Sequence, residues 1–145
     1  MQVTYRPWER EDIPKIAQLE KAIFSDAWTE EMLSLAYDRP DFLGLVACAN
    51  GTFIGYVCGS VLFEQADLMI IAVKDGYRKM GLGGTMLDSF LSNAQALGAE
   101  QVFLEARQSN TPALRLYQSR GFTQTRIRKR YYADGEHAVE MVKTL

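Results

Sequence analysis

The chain has 145 residues, 48% of them hydrophobic and 23% charged, with a formal net charge of −2. That length and mix describe one globular domain, with a core large enough to fold without disulfide or metal staples. The slight acidity argues against direct nucleic-acid binding, which shows as a basic excess, and no run approaches the ~18 apolar residues of a membrane span.

VTYRPW (3–8) reads as a first strand, and MQVTYRPWER has no apolar core of the signal-peptide kind. Glu11-Asp12 open a helix with Asp12 as its N-cap, and Ile13, Ile16, Ala17, Leu19, Ile23 and Phe24 recur at helical spacing. Ser25-Asp26 break that helix. Thr29 caps a second one, stapled by Trp28 and Leu33 and expected to end near Pro40. Residues 42–49 and 52–63 are strands joined by Asn50-Gly51, the strongest short hairpin signal. Cys48 and Cys58 lie in these apolar runs as packing thiols. With His137 the single histidine, no metal site is expected. A cytoplasmic location is the default.

A buried strand over 67–74 leads through a glycine-bearing turn to a helix over 82–97. Leu82, Met86, Leu87, Phe90, Leu91, Ala94 and Leu97 form its apolar stripe, and Gly98 stops it. QVFLEA (101–106) is a strand. Asn110 or Thr111 caps a short helix with Pro112 in its first turn, running to Gly121. Residues 122–132 and 137–143 close the chain as two strands around the turn Ala133-Asp134-Gly135. The order β-α-α-β-β-β-α-β-α-β-β is mixed α/β in a single domain over 1–145. Its β-α-β crossover makes two strands parallel.

The most informative stretch is Ile71-Ala72-Val73-Lys-Asp-Gly-Tyr-Arg78-Lys79-Met80-Gly81-Leu82-Gly83-Gly84. A helix that starts inside a glycine turn leaves main-chain N–H groups unpaired, and its dipole adds about half a positive charge there. The result is a phosphate cradle, with Arg78 and Lys79 adding charge. A Walker loop is excluded, because Gly83-Gly84-Thr85 lacks its lysine. The dinucleotide fingerprint fits weakly: its last glycine falls on Met86, although Glu105 has roughly the spacing of the ribose acid. An ordinary tight turn is the remaining alternative.

Arg78-Lys79-Met80-Gly81-Leu82-Gly83 resembles the Gln/Arg-x-x-Gly-x-Gly/Ala motif of the GNAT acetyltransferases, and Asn110-x-x-Ala113-x-x-Leu116-Tyr117-x-x-x-Gly121-Phe122 resembles their second segment. Ala27-Trp28-Thr29, Leu104-Glu105-Ala-Arg107-Gln-Ser-Asn110 and the run Arg126–Tyr132 are most similar to the RimI branch, the ribosomal-protein-alanine N-acetyltransferases. The likeness covers nearly the whole chain. It departs where Asp75-Gly76 and Ala27 stand in place of prolines. It implies a GNAT-like mixed sheet and acetyl-CoA as co-substrate. The pyrophosphate would lie on residues 79–84, and the pantetheine arm would pair with the main chain of Ile71, Ala72 and Val73 as an added pseudo-strand. Asn110 would hydrogen-bond that arm.

Acyl transfer to an amine needs a group to take the amine proton and one to give a proton to the leaving thiolate. The resemblance implies Glu105 for the first and Tyr117 for the second, with a main-chain amide near Val73 facing the oxyanion. Read alone, Glu105 could instead pair with Arg107 or Arg126, and Tyr117 could be a core residue. No cysteine lies in either motif, which favours direct attack in a ternary complex.

About a tenth of an α-amine of pKa about 7.7–8.0 is neutral near pH 7, against well under a thousandth of a lysine of pKa about 10.4. One carboxylate base therefore suits a protein N-terminus better. The RimI likeness implies the N-terminal alanine of a small-subunit ribosomal protein. Lysine side chains, small amines and a non-catalytic acetyl-CoA-binding module remain as alternatives. Tyr131 and Tyr132 are candidate walls of the acceptor cleft. Trp28 is a weaker candidate, read first as a staple. Arg126, Arg128 and Arg130 would share one strand face, there to meet an acidic surface or to guard an edge.

Overall fold

The structure, a computed structural model, describes residues 2–145. Strand β1 (Val3–Pro7) leads through a 3₁₀ turn (Arg10–Asp12) into α1 (Ile13–Ile23) and α2 (Glu30–Tyr37). Strands β2 (Phe42–Ala49), β3 (Thr52–Leu62) and β4 (Gln65–Val73) follow, then α3 (Leu82–Ala96), β5 (Gln101–Arg107), α4 (Thr111–Ser119), β6 (Thr123–Arg128) and β7 (Ala138–Thr144). This is the α/β order expected. The strands form one seven-stranded sheet in the order β1-β2-β3-β4-β5-β7-β6. Only β4 and β5 are parallel; every other neighbouring pair is antiparallel.

Alternation along the strands assigns the helices to faces. Leu45, Ala47 and Ala49 of β2 pack with Met86, Leu87 and Phe90 of α3, whereas Val46 packs with Ile16 and Leu19 of α1 and Leu33 of α2. Successive side chains point to opposite faces, so α1 and α2 cover one side and α3 and α4 the other. The first helix pair reaches only β2, β3 and β4. On β5, Val102, Leu104 and Ala106 all join the α3 side. Phe103, Glu105 and Arg107 therefore face outward on the α1 side, where no helix covers them.

Strand β4 carries a bulge. Cys58 pairs with Ile70 and Gly59 with Leu68, which leaves Met69 as an extra residue. A Cβ on Gly59 would sit 2.0 Å from the Asp67 carbonyl oxygen, so the strand can pass here only as glycine. The slip inverts β4: Ala66 and Leu68 pack toward α3, Ile70 and Ala72 toward α1. Past the bulge β4 and β5 part. Their parallel pairing runs only from Gln65–Asp67 to Gln101–Phe103, whereas β4 stays paired with β3 as far as Val73.

The capping predictions fare unevenly. Thr29 accepts from the Met32 N–H at 3.2 Å and caps α2, and Asn50 (φ 51°) with Gly51 (φ 82°) turns the β2–β3 hairpin. The side chain of Asp12 does not cap α1. It accepts from the Glu9 N–H at 2.7 Å and takes a two-pronged Arg6 guanidinium at 2.7 and 2.8 Å, so the 3₁₀ turn precedes the helix. Helix α2 stops at Tyr37, short of Pro40. The strand expected over 122–132 ends at Arg128, and Arg130 has a left-handed φ of 54°. Arg130 therefore does not share a strand face with Arg126 and Arg128, and Tyr131 and Tyr132 lie in the following turn.

Candidate active site

The turn after β4 is built to present donors. Gly81 takes φ 76°, a left-handed angle that admits glycine readily, and α3 begins at Leu82. The first main-chain bond of the helix runs from the Thr85 N–H to the Gly81 carbonyl. The N–H groups of Lys79, Met80, Gly81, Leu82, Gly83 and Gly84 have no acceptor among the described residues. Arg78 donates from Nε to the Val73 carbonyl at 3.1 Å and so folds back over the end of β4. A run of free N–H groups at a helix start is an anion site.

That turn opens into the gap between β4 and β5. On the edge of β4 that faces β5, Ile71, Ala72 and Val73 have no strand partner among the described residues, their pairing being to β3 alone. Glu105 stands two residues past the last β4–β5 pair and faces the open side. The β5–β7 register puts Glu140 directly opposite it, and the β6–β7 register puts Arg126 opposite Glu140. Burial raises the Glu105 carboxyl above its ordinary value, Arg128 at 3.5 Å pulls it down, and Glu140 pushes it up again. Neither arginine named as a partner from sequence holds Glu105: Arg126 pairs with Glu140 at 3.3 Å, and Arg107 turns elsewhere. Arg128 bridges Glu105 and Glu140 instead.

On the other side of the sheet, Tyr117 projects from α4 into the α3 core, its ring edge-on to Phe122 at 5.8 Å. Burial pushes its phenol up to about 12, so it stays protonated at neutral pH. Its hydroxyl has no partner among the described residues, yet no fully buried side-chain polar atom is left unpaired. The hydroxyl therefore reaches the surface while the ring is buried. Asn110 caps α4, its Oδ1 accepting from the Ala113 N–H at 3.3 Å, which leaves its Nδ2 free.

Two segments border the open face of β5. Residues 24–29 hold Trp28, which is half-buried against the α1 core and donates its main-chain N–H to Glu20 at 3.0 Å. Residues 129–137 hold Tyr131 and Tyr132, whose rings meet edge-on at 5.1 Å. The Tyr132 phenol lies close enough to Glu105 and to Tyr117 for their charges to influence one another. Among the described residues no group of His, Cys, Asp or Glu is arranged to hold a metal, and no helix is long and apolar enough to cross a membrane.

Sequence reasoning missed three parts of this arrangement. The bulge at Met69 is silent because LMIIAV (68–73) is apolar on both faces. Arg107 was named from sequence only as a candidate partner of Glu105, and its true partners, Asp26, Asp134 and Glu136, lie on segments distant in the chain. Glu20 falls on the apolar stripe of α1, four residues after Ile16, and a carboxylate at such a position marks a buried polar contact.

A mixed sheet that splays beside an amide-lined turn, with a carboxylate on one face of the sheet and a phenol on the other, fits an acetyltransferase of the GNAT kind. The chain belongs to the acetyltransferase (GNAT) family, whose sequence profile matches residues 13–122. It is 33% identical over 135 residues to the [ribosomal protein bS18]-alanine N-acetyltransferase of Haemophilus ducreyi, covering 90% of this chain and 92% of that one. It is 34% identical over 113 residues to an N-alpha-acetyltransferase of Sulfurisphaera tokodaii, covering 69% and 68%. The crystal structure of the ribosomal-protein-S18-alanine N-acetyltransferase from Escherichia coli superposes with a TM-score of 0.92 at 29% identity, over 99% of this chain and 94% of that one.

Proposed function

We propose that this acetyltransferase moves the acetyl group of acetyl-CoA to the α-amine of a protein N-terminus in the cytoplasm. The acceptor we favour is the N-terminal alanine of a small-subunit ribosomal protein. The observation that carries the reading is the place of Glu105, at the point where β4 and β5 separate and on the face that no helix covers. The relatives named above supply the acceptor class.

Acetyl-CoA brings the acetyl group as a thioester. The free N–H groups of 79–84, with Lys79 and the folded-back Arg78, suit its pyrophosphate, and the unpaired edge of Ile71–Val73 suits its amide-bearing arm. The free Nδ2 of Asn110 can add a donor. Glu105, its proton affinity raised by burial, takes the proton of the incoming amine. Tyr117, held protonated, gives a proton to the departing thiolate. A base and an acid with separated proton affinities suit direct attack in a ternary complex.

The test follows thiol release from acetyl-CoA with a panel of peptides. It includes an N-terminal alanine peptide, the same peptide with a blocked α-amine and an internal lysine, and small amines. Release with the first and not the others is expected. Turnover confined to the blocked lysine peptide or to small amines would replace the N-terminal reading. Binding of acetyl-CoA without turnover on any acceptor would make the chain a binding module.

A further inference from the structure

Arg107 ends β5 on the same face as Glu105, and its guanidinium has partners on two separate segments. One Nη donates to Asp26 at 2.9 Å, in the segment between α1 and α2. The other donates to Asp134 at 2.8 Å and Glu136 at 2.9 Å, in the segment between β6 and β7. Its centre lies 4.1 Å from the ring centroid of Tyr132. Glu136 in turn accepts from the Ser109 N–H at 2.8 Å, which anchors the β6–β7 segment to the chain entering α4. The hydrogen bonds from Ser109 and Arg107 lower the Glu136 carboxyl to about 2.

Among the described residues, no hydrogen bond or ion pair joins 24–29 directly to 129–137; Arg107 is the link. The three carboxylates around it would repel one another without the cation. A planar guanidinium offers five donors in a fixed fork and a flat face that stacks on a ring, whereas an ammonium has three donors on a compact point charge.

We propose that Arg107 is a positioning residue that clasps the two segments bordering the acceptor cleft and so sets acceptor affinity, while taking no part in proton transfer. This rests on the reading of the β5 face as the acceptor side. Loss of the clasp lets the segments bearing Trp28 and Tyr131–Tyr132 separate. The turn that suits the coenzyme, between β4 and α3, shares no hydrogen bond or ion pair with Arg107 among the described residues and keeps its geometry.

The experiment compares the full chain with Arg107→Lys, Arg107→Met and Asp26→Asn, using an N-terminal alanine peptide and acetyl-CoA. For Arg107→Met a rise of about tenfold or more in the peptide KM is expected, with the acetyl-CoA KM and kcat within about threefold. Arg107→Lys should recover part of the loss. Asp26→Asn, a change at a half-exposed side chain, should move the peptide KM the same way by less and covers the case in which Arg107→Met fails to fold. A fall in kcat with the peptide KM unchanged, or equal rises in both KM values, overturns the proposal. Amide hydrogen exchange separates this from the functional reading: Arg107→Lys should speed exchange in both 24–29 and 129–137 but not in α3. If wild type acetylates no N-terminal peptide, the function falls while the exchange result still decides the clasp. Unchanged exchange in either segment sinks it.

Discussion

The Arg128 guanidinium stands 3.5 Å from a carboxylate oxygen of Glu105 and holds Glu140 at 2.8 Å with its other nitrogen. The β5–β7 register sets those two carboxylates directly opposite each other, an arrangement that repels unless a cation lies between them. Arg128 reaches them from β6, the edge strand, so a residue read from sequence as meeting an acidic surface or guarding an edge also lowers the proton affinity of the proposed base.

Opposite shifts follow from the two partners of that cation. Arg128→Gln removes the charge that favours ionised Glu105, and the acid limb of the kcat–pH profile should move to higher pH. Glu140→Gln removes a like charge and frees Arg128 for Glu105, so the limb should move to lower pH. Profiles for the three proteins on one peptide check this. Shifts of the same sign in both variants would refute the assignment of Glu105 as the group seen.

Glu105→Gln should lower turnover by about 10²–10⁴-fold, the usual worth of a general base, with little change in coenzyme affinity. It should also stabilise the protein. Burial raises the folded-state pKa above the unfolded value, so the folded state holds the proton more tightly. Wild type therefore loses stability as pH rises from the unfolded to the folded pKa, and the deficit persists at neutral pH. Calorimetry should give the variant the higher Tm at pH 7.5 and equal values near pH 4. A lower Tm at neutral pH would contradict the stated cause of the shift.

Much of this fold could be read from residue order, because the signals were local. Asn50-Gly51 could only turn a hairpin, Thr29 had three N–H groups ahead of it to cap, and the stripe read from Leu82 to Leu97 fixed α3 within a residue, although Leu97, just past the helix end, is exposed rather than packed. The glycine turn was equally plain, since its chemistry lies in consecutive main-chain groups. What could not be read depends on contacts distant in sequence. The Asp12 carboxylate had a capping role by position, but Arg6 on β1 took it. Tyr131 and Tyr132 have strand propensity, yet the β6–β7 ladder ends at Arg128–Ala138 and leaves them in a turn. The ion pairs of Glu105 and Arg107 join segments up to 81 residues apart, which no spacing rule encodes.

Gly81→Ala tests the anion-binding turn. At φ 76° an alanine costs roughly 1–2 kcal/mol, and relief of that strain would re-aim the N–H groups at the start of α3. The dissociation constant of coenzyme A by calorimetry should rise about tenfold or more, with the peptide KM nearly unchanged. The separate change Gly59→Ala meets the Asp67 carbonyl at 2.0 Å and should disrupt the β4 bulge. It should lower Tm and weaken coenzyme A binding together, because the gap between β4 and β5 originates there.

Glu20 is buried beneath the α1–α2 segment, where it accepts hydrogen bonds from the Tyr56 hydroxyl and from the Trp28 main-chain N–H, the latter at 3.0 Å. Burial raises its pKa, and the two donors oppose that. Tyr56→Phe removes one donor and leaves a carboxylate in the core with only Trp28 to satisfy it, at a cost of about 1–3 kcal/mol. Because the variant's folded-state pKa lies further above the unfolded value than in wild type, protonation relieves the cost at low pH and withholds relief at high pH. Urea unfolding should therefore show a larger loss of stability at pH 8 than at pH 5. Glu20→Ala removes the charge along with the acceptor and strands the Tyr56 hydroxyl and the Trp28 main-chain N–H; because only wild type carries the raised carboxyl, the loss should be largest at low pH and shrink as pH rises. If Tyr56→Phe lost the same stability at both pH values, the carboxylate would be drawing its support from groups other than Tyr56.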